Sequence, residues 1–101
     1  MKLLQLAASL CLAAITATAY AQDQNLARNL AASCANCHGT NGKAVAGSGL
    51  EPLAGVEKTE LLRKIRDFKS GAKPATIMHQ IAKGYTDEQM ELIASYFSAQ
   101  K

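Results

Sequence analysis

Apolar residues recur at helical spacing in four stretches of this chain, and residues that start or stop helices bound most of them. Leu26, Ala27, Leu30, Ala31 and Cys34 share one face, with Arg28 and Asn29 opposite, which predicts a first helix over 23–36. Thr59 is a plausible N-cap for a second helix whose stripe is Leu61, Leu62, Ile65 and Phe68 and whose end is Ser70-Gly71. Lys73-Pro74-Ala75 breaks the chain, after which Ile77, Met78 and Ile81 predict a short helix stopped by Gly84. Thr86-Asp87-Glu88-Gln89 matches a capping box, and Met90, Ile93, Ala94 and Phe97 form the inner face of the helix it opens.

No stretch alternates with the period of two that a half-buried strand requires, so the expected fold class is all-α. Between the first two helices, residues 39 to 55 carry five glycines and Pro52 with no sustained period. This reads as a long loop, and loops of that length in small domains usually wrap around something or carry function.

The chain begins differently. Lys2 precedes an apolar run through Leu10, Leu12 and Ile15 that ends in Ala19-Tyr20-Ala21. A basic start, a short apolar centre and a small-x-small terminus predict a secretory signal peptide over 1–21, cleaved after Ala21. The run is short and interrupted by Gln5 and Ser9, which argues against a retained span, and an ordinary surface helix would lack a polar face. Leu10 stands before Cys11 where a lipidated cysteine would need a small residue, so Cys11 reads as part of the discarded leader.

Removal of 21 residues from the 101 leaves a domain over 22–101. Lys2 is lost, so ten Lys and Arg face eight acidic residues, a formal charge of +2. Nucleic acid as a partner is disfavoured, because it calls for a clustered basic surface. Two phenylalanines, two remaining tyrosines (Tyr85 and Tyr96) and no tryptophan make a thin core for such a domain, and domains of this size often lean on a metal or cofactor.

The chemistry concentrates in Cys34-Ala35-Asn36-Cys37-His38. This is the spacing for c-type haem attachment: two thiols add to the vinyl groups of one haem, and the histidine that follows reaches its iron as proximal ligand. Three other readings compete. A thioredoxin-like redox pair expects a βαβ setting, which the pattern lacks. A zinc site needs a fourth donor, and His79 is the one other histidine. A disulfide across so small a loop would restrict little chain entropy and leaves His38 without a task.

The sixth iron position separates a carrier from a ligand-binding or peroxidase-like haem protein. A methionine thioether closes that position and raises the reduction potential. Met78 follows the Pro-containing break and is the preferred distal ligand, whereas Met90 lies on a buried stripe where packing is the usual role. His79 is next to Met78 and on another face, where a histidine is usually exposed. The free ring nitrogen of His38 should donate to a backbone carbonyl within Leu50-Glu51-Pro52-Leu53. Leu30, Leu53, Leu62, Ile65, Ile81, Ile93 and Phe97 should keep water from the ring, and Ala35, Asn36, Lys43, Lys73 and Lys83 are candidates for a docking patch.

A helix running into Cys34-Ala35-Asn36-Cys37-His38-Gly39, a methionine well downstream and a final helix with Tyr96-Phe97 resemble the class I cytochrome c family over the whole expected domain. The resemblance implies about four helices packed around one covalent haem c, with first and last helices crossing, and a role in electron transfer and not catalysis. Phe68-Lys69-Ser70-Gly71, Thr76-Ile77-Met78 and Ile81-Ala82-Lys83-Gly84-Tyr85 look like the axial-methionine region of the cytochrome subunit of flavocytochrome c sulfide dehydrogenases. That likeness supports Met78 and implies a sulfide-oxidising flavoprotein as redox donor, while the predicted leader implies export to the periplasm. Two features depart from it: such subunits commonly carry two haems where this sequence has one attachment motif, and the loop has Leu50-Glu51-Pro52-Leu53 where relatives often have Ile-Pro-x-Leu.

Overall fold

The computed structural model describes residues 1–5 and 25–101. Most of the expected leader, and the cleavage point after Ala21, lie outside the described residues. Helix α1 is described over 25–32, α2 spans Ala35–His38, a single 3-10 turn spans Thr40–Gly42, and α3, α4 and α5 span Lys58–Ser70, Met78–Lys83 and Asp87–Ser98. No strand occurs among the described residues. The all-α expectation is met, with the short α2 and the 3-10 turn added to the four longer elements.

Two boundaries differ from the sequence reading. The first helix does not run to residue 36: it breaks at Ser33-Cys34, where Cys34 N–H closes on the Ala31 carbonyl at 3.1 Å in the tighter i−3 pattern, and α2 starts afresh. Helix α3 is capped by Glu57 and not by Thr59, the Glu57 carboxylate accepting from Glu60 N–H at 3.1 Å. A carboxylate there also satisfies the positive end of the helix. Gly71, at φ 84°, ends α3 in the left-handed conformation that glycine adopts without penalty.

The capping box at α5 forms as the sequence implies. Gln89 N–H donates to Thr86 Oγ1 at 3.2 Å, and Thr86 N–H donates to Gln89 Oε1 at 2.9 Å. Helix α3 packs against both α4 and α5. The core is built from Ala31, Leu61, Leu62, Met90, Ile93, Ala94 and Phe97, with Leu30, Cys34, Leu53, Val56, Ile65, Tyr85 and Tyr96 packed at its margin. Met90 is fully enclosed, in agreement with its reading as a packing residue.

The loop between α2 and α3 is tied to the final helix through Gly42. Its carbonyl accepts from Leu53 N–H at 2.8 Å and Ala54 N–H at 3.1 Å, and a Cβ built on it would lie 2.8 Å from Ala54 N and from Phe97 Cδ1. With φ at 76°, Gly42 meets both conditions that select glycine. Gly55 N–H then donates to the Phe97 carbonyl at 2.9 Å, which closes the loop onto the end of α5.

Candidate haem site

Cys34, Cys37 and His38 share one helical turn. The Cys34 carbonyl accepts from His38 N–H at 2.9 Å and from Cys37 N–H at 3.3 Å, so the loop between the two thiols has a defined curvature. Gly39 ends this turn at φ 85°, and a Cβ there would sit 1.9 Å from the Lys43 carbonyl oxygen. The motif therefore needs glycine at its exit.

Both cysteines are free thiols, Cys34 half-buried and Cys37 exposed. Burial pushes the Cys34 thiol up, against a smaller opposing effect of its hydrogen bond with Ser33. A nucleophilic redox pair depends on the opposite shift, so the environment of Cys34 does not suit thioredoxin-like chemistry. Among the described residues no three His, Cys, Asp or Glu side chains gather as a metal-binding group.

His38 Nδ1 lies 2.9 Å from the Glu51 carbonyl oxygen. This contact assigns the proton to Nδ1 and leaves Nε2 as the basic nitrogen, the tautomer a metal-binding imidazole requires. The carbonyl falls within the stretch expected from sequence. Glu51 precedes Pro52, which biases it toward extended backbone. The Glu51 carboxylate is ion-paired with Lys64 on α3, and this hydrogen bond is the main cause holding its pKa below the ordinary carboxylate range. Lys64 was not singled out by sequence; the one available signal was its place on the polar side of the Leu61, Leu62, Ile65 stripe.

Met78 is half-buried and is the first residue of α4, directly after the irregular Ile77. His79 is also half-buried, in contrast to the exposed position expected for it, and its Nδ1 is enclosed without a hydrogen-bond partner among the described residues. Large apolar side chains with open faces flank this segment: Ile77 is 58% exposed and Ile81 37%. Of the residues expected to exclude water, Leu62, Ile93 and Phe97 are buried and Leu30, Leu53 and Ile65 are partly buried against the core. Lys43, Lys73 and Lys83 are exposed.

The segment carrying Met78 is braced by α3. Lys73 N–H donates to the Asp67 carbonyl at 3.1 Å, and the Lys73 ammonium lies 5.0 Å from the centre of the Phe68 ring. Beyond α4, Lys69 donates to the Tyr85 carbonyl, and the Tyr85 hydroxyl meets Ser33 Oγ at 2.8 Å beside Cys34.

Paired thiols on one turn and an imidazole with its Nδ1 already engaged fit a covalently held haem. The cytochrome c family model matches residues 24–101, and the chain belongs to that family. The sequence has one Cys-x-x-Cys-His motif, Cys34 to His38, and the family holds haem c covalently. Over 68 residues it is 41% identical to the cytochrome subunit of sulfide dehydrogenase from Chlorobaculum tepidum, covering 67% of this chain and 60% of that protein. It is 36% identical over 76 residues to a thiosulfate dehydrogenase electron acceptor of Stutzerimonas stutzeri, covering 75% of this chain and 35% of that protein. Cytochrome c-553 of Helicobacter pylori is 35% identical over 72 residues, covering 71% of this chain and 75% of that protein. The chain thus spans three-fifths of the first relative's length and about a third of the second's. Among the described residues no helix is long and apolar enough to cross a membrane.

Proposed function

We propose that this protein is exported to the periplasm, with residues 1–21 as a cleaved signal peptide and 22–101 as the haem domain, and that it accepts electrons from a sulfide-oxidising flavoprotein. Cys34 and Cys37 form the thioethers, His38 is the proximal iron ligand and Met78 the distal one. When bound, haem c supplies an iron that changes oxidation state by one electron at a time. The observation that carries this assignment is the His38 Nδ1 to Glu51 carbonyl contact of 2.9 Å at the end of the Cys34–His38 turn.

The protein's own residues perform three tasks. The turn from Cys34 to His38 fixes where the prosthetic group is attached. Glu51 orients the proximal imidazole through its carbonyl and increases its basicity. Met78, supported through α4 by α3, would offer its thioether to the haem iron, a donor that excludes small ligands and raises the potential. A fixed ligand pair changes little between oxidation states, which is the requirement for rapid outer-sphere transfer.

Two experiments test the reading. In the haem-loaded oxidised protein, Met78→Ala abolishes the weak far-red thioether-to-iron band and lets the reduced protein bind carbon monoxide; persistence of the band would refute Met78. Purification from the native periplasm yields a complex with a flavin spectrum whose haem is reduced by sulfide. A protein that purifies alone and is not reduced in that way refutes the flavoprotein partner.

A further inference from the structure

The contact between Glu51 and Lys64 joins the loop that serves His38 to a helix that supplies no ligand. Lys64 lies one turn beyond Glu60 on α3, and its side chain is only 22% exposed. Its ammonium donates to Glu51 Oε1 and lies 3.9 Å from Glu60 Oε1. Glu60 is in turn gripped by Arg63, whose Nε donates to Oε2 at 3.1 Å and whose Nη2 donates to Oε1 at 2.7 Å. Arg63 Nη1 donates onward to Asp67 Oδ2 at 2.9 Å.

An isolated surface pair contributes little, but a lysine held within a network on a rigid helix has a defined position. The Glu51 backbone has few other freedoms. Pro52 restricts it from ahead, and Leu53 N–H is fixed on the Gly42 carbonyl at 2.8 Å. The Glu51 carbonyl and side chain branch from one Cα, and Lys64 fixes the place of that Cα by holding the side chain.

We propose that Lys64 is a positioning residue: acting through Glu51, it keeps the carbonyl on His38 Nδ1 and thereby sets how strongly His38 donates to iron. This rests on the reading of His38 as the proximal ligand. A well-made Nδ1–H to carbonyl bond gives the imidazole more anionic character, which favours the oxidised metal and lowers the potential. Loosening the bond raises it.

The test uses the haem-loaded protein and the variant Lys64→Met. Loss of the strut speeds exchange of the His38 Nδ1 proton with solvent, measured by NMR in the reduced state, by about two- to fivefold. The same variant removes a positive charge, which relieves the oxidised haem more than the reduced one and lowers the potential. The exchange rate and not the potential therefore decides the test; a lysine acting only through space leaves that rate unchanged. An unchanged exchange rate overturns the proposal. The double variant Glu51→Lys with Lys64→Glu restores slow exchange; exchange as fast as in Lys64→Met overturns it as well. The ring carbon protons of His38 report ligation separately. Their large upfield shift over the macrocycle persists if only the strut fails and is missing if His38 is not the ligand.

Discussion

The Tyr96 hydroxyl donates a 2.6 Å hydrogen bond to Asn41 Oδ1, and Asn41 holds the left-handed backbone conformation at φ 55°. One bond thus ties the last helix to the turn that leaves the Cys34–His38 motif. Tyr96 also packs edge-on against Phe97, with ring centres 5.5 Å apart and planes at 76°. Tyr96→Phe keeps the ring contact and removes the bond, so it destabilises the protein by about 1 kcal/mol. Asn41→Ala costs more, because it also loses a residue that tolerates positive φ. Urea unfolding of the two single variants and the double variant measures the coupling.

Gly42→Ala places a methyl group 2.8 Å from both Ala54 N and the Phe97 ring, in a left-handed backbone. Overpacking and backbone strain add, giving a loss of about 2–4 kcal/mol. Gly47→Ala is the control: it has φ 81° but nothing within 4 Å of the added carbon. Its cost is confined to backbone strain, about 1–2 kcal/mol. Thermal unfolding of both variants should rank them in that order.

The two internal methionines should separate cleanly by experiment. Met90 is 0% exposed inside the core, so Met90→Ala costs about 2–5 kcal/mol of stability while leaving the far-red band of the oxidised holoprotein intact. Met78→Ala removes the band. A spectrum and an unfolding curve on each variant distinguish packing from ligation.

Acid should weaken the N-terminal end of α3. The Glu57 carboxyl is held below its ordinary range chiefly by the Thr59 and Glu60 backbone N–H groups, and Glu60 by its hydrogen bond with Arg63. A carboxylate whose folded value is depressed binds fewer protons in the folded state than in the unfolded one. Its contribution is present above the unfolded value, about 4.3, and is lost as pH falls through the lower folded value. Glu57→Gln therefore flattens the acid limb of the stability curve, as read by urea midpoints from pH 6 down to about 2.

The haem-attachment motif was legible because its chemistry is local: five consecutive residues contain both thiols and the imidazole, and one turn of helix brings them together. The capping box at Thr86 was legible for the same reason. Contacts between distant segments were not. The apolar period from Leu26 to Cys34 runs unbroken through the kink at Ser33, so the pattern contains no sign of the break. Thr59 has the better capping chemistry on paper, but Glu57 supplies the acceptor because the polar residues 58–60 are already wound into α3. The stretch that serves His38 was read from Leu50 to Leu53; which carbonyl it is, and its link to Lys64, depend on how a loop lies across a helix thirteen residues away in sequence.

Helix α3 supplies no ligand in the proposed site, yet it grips the chain on both approaches: Lys64 holds the Glu51 loop, and the Asp67 carbonyl holds Lys73 before Met78. The two loops consequently share one mechanical support. A local opening that melts α3 frees both together, so amide hydrogens around Leu53 and around Ile81 should exchange as one cooperative unit with those of α3.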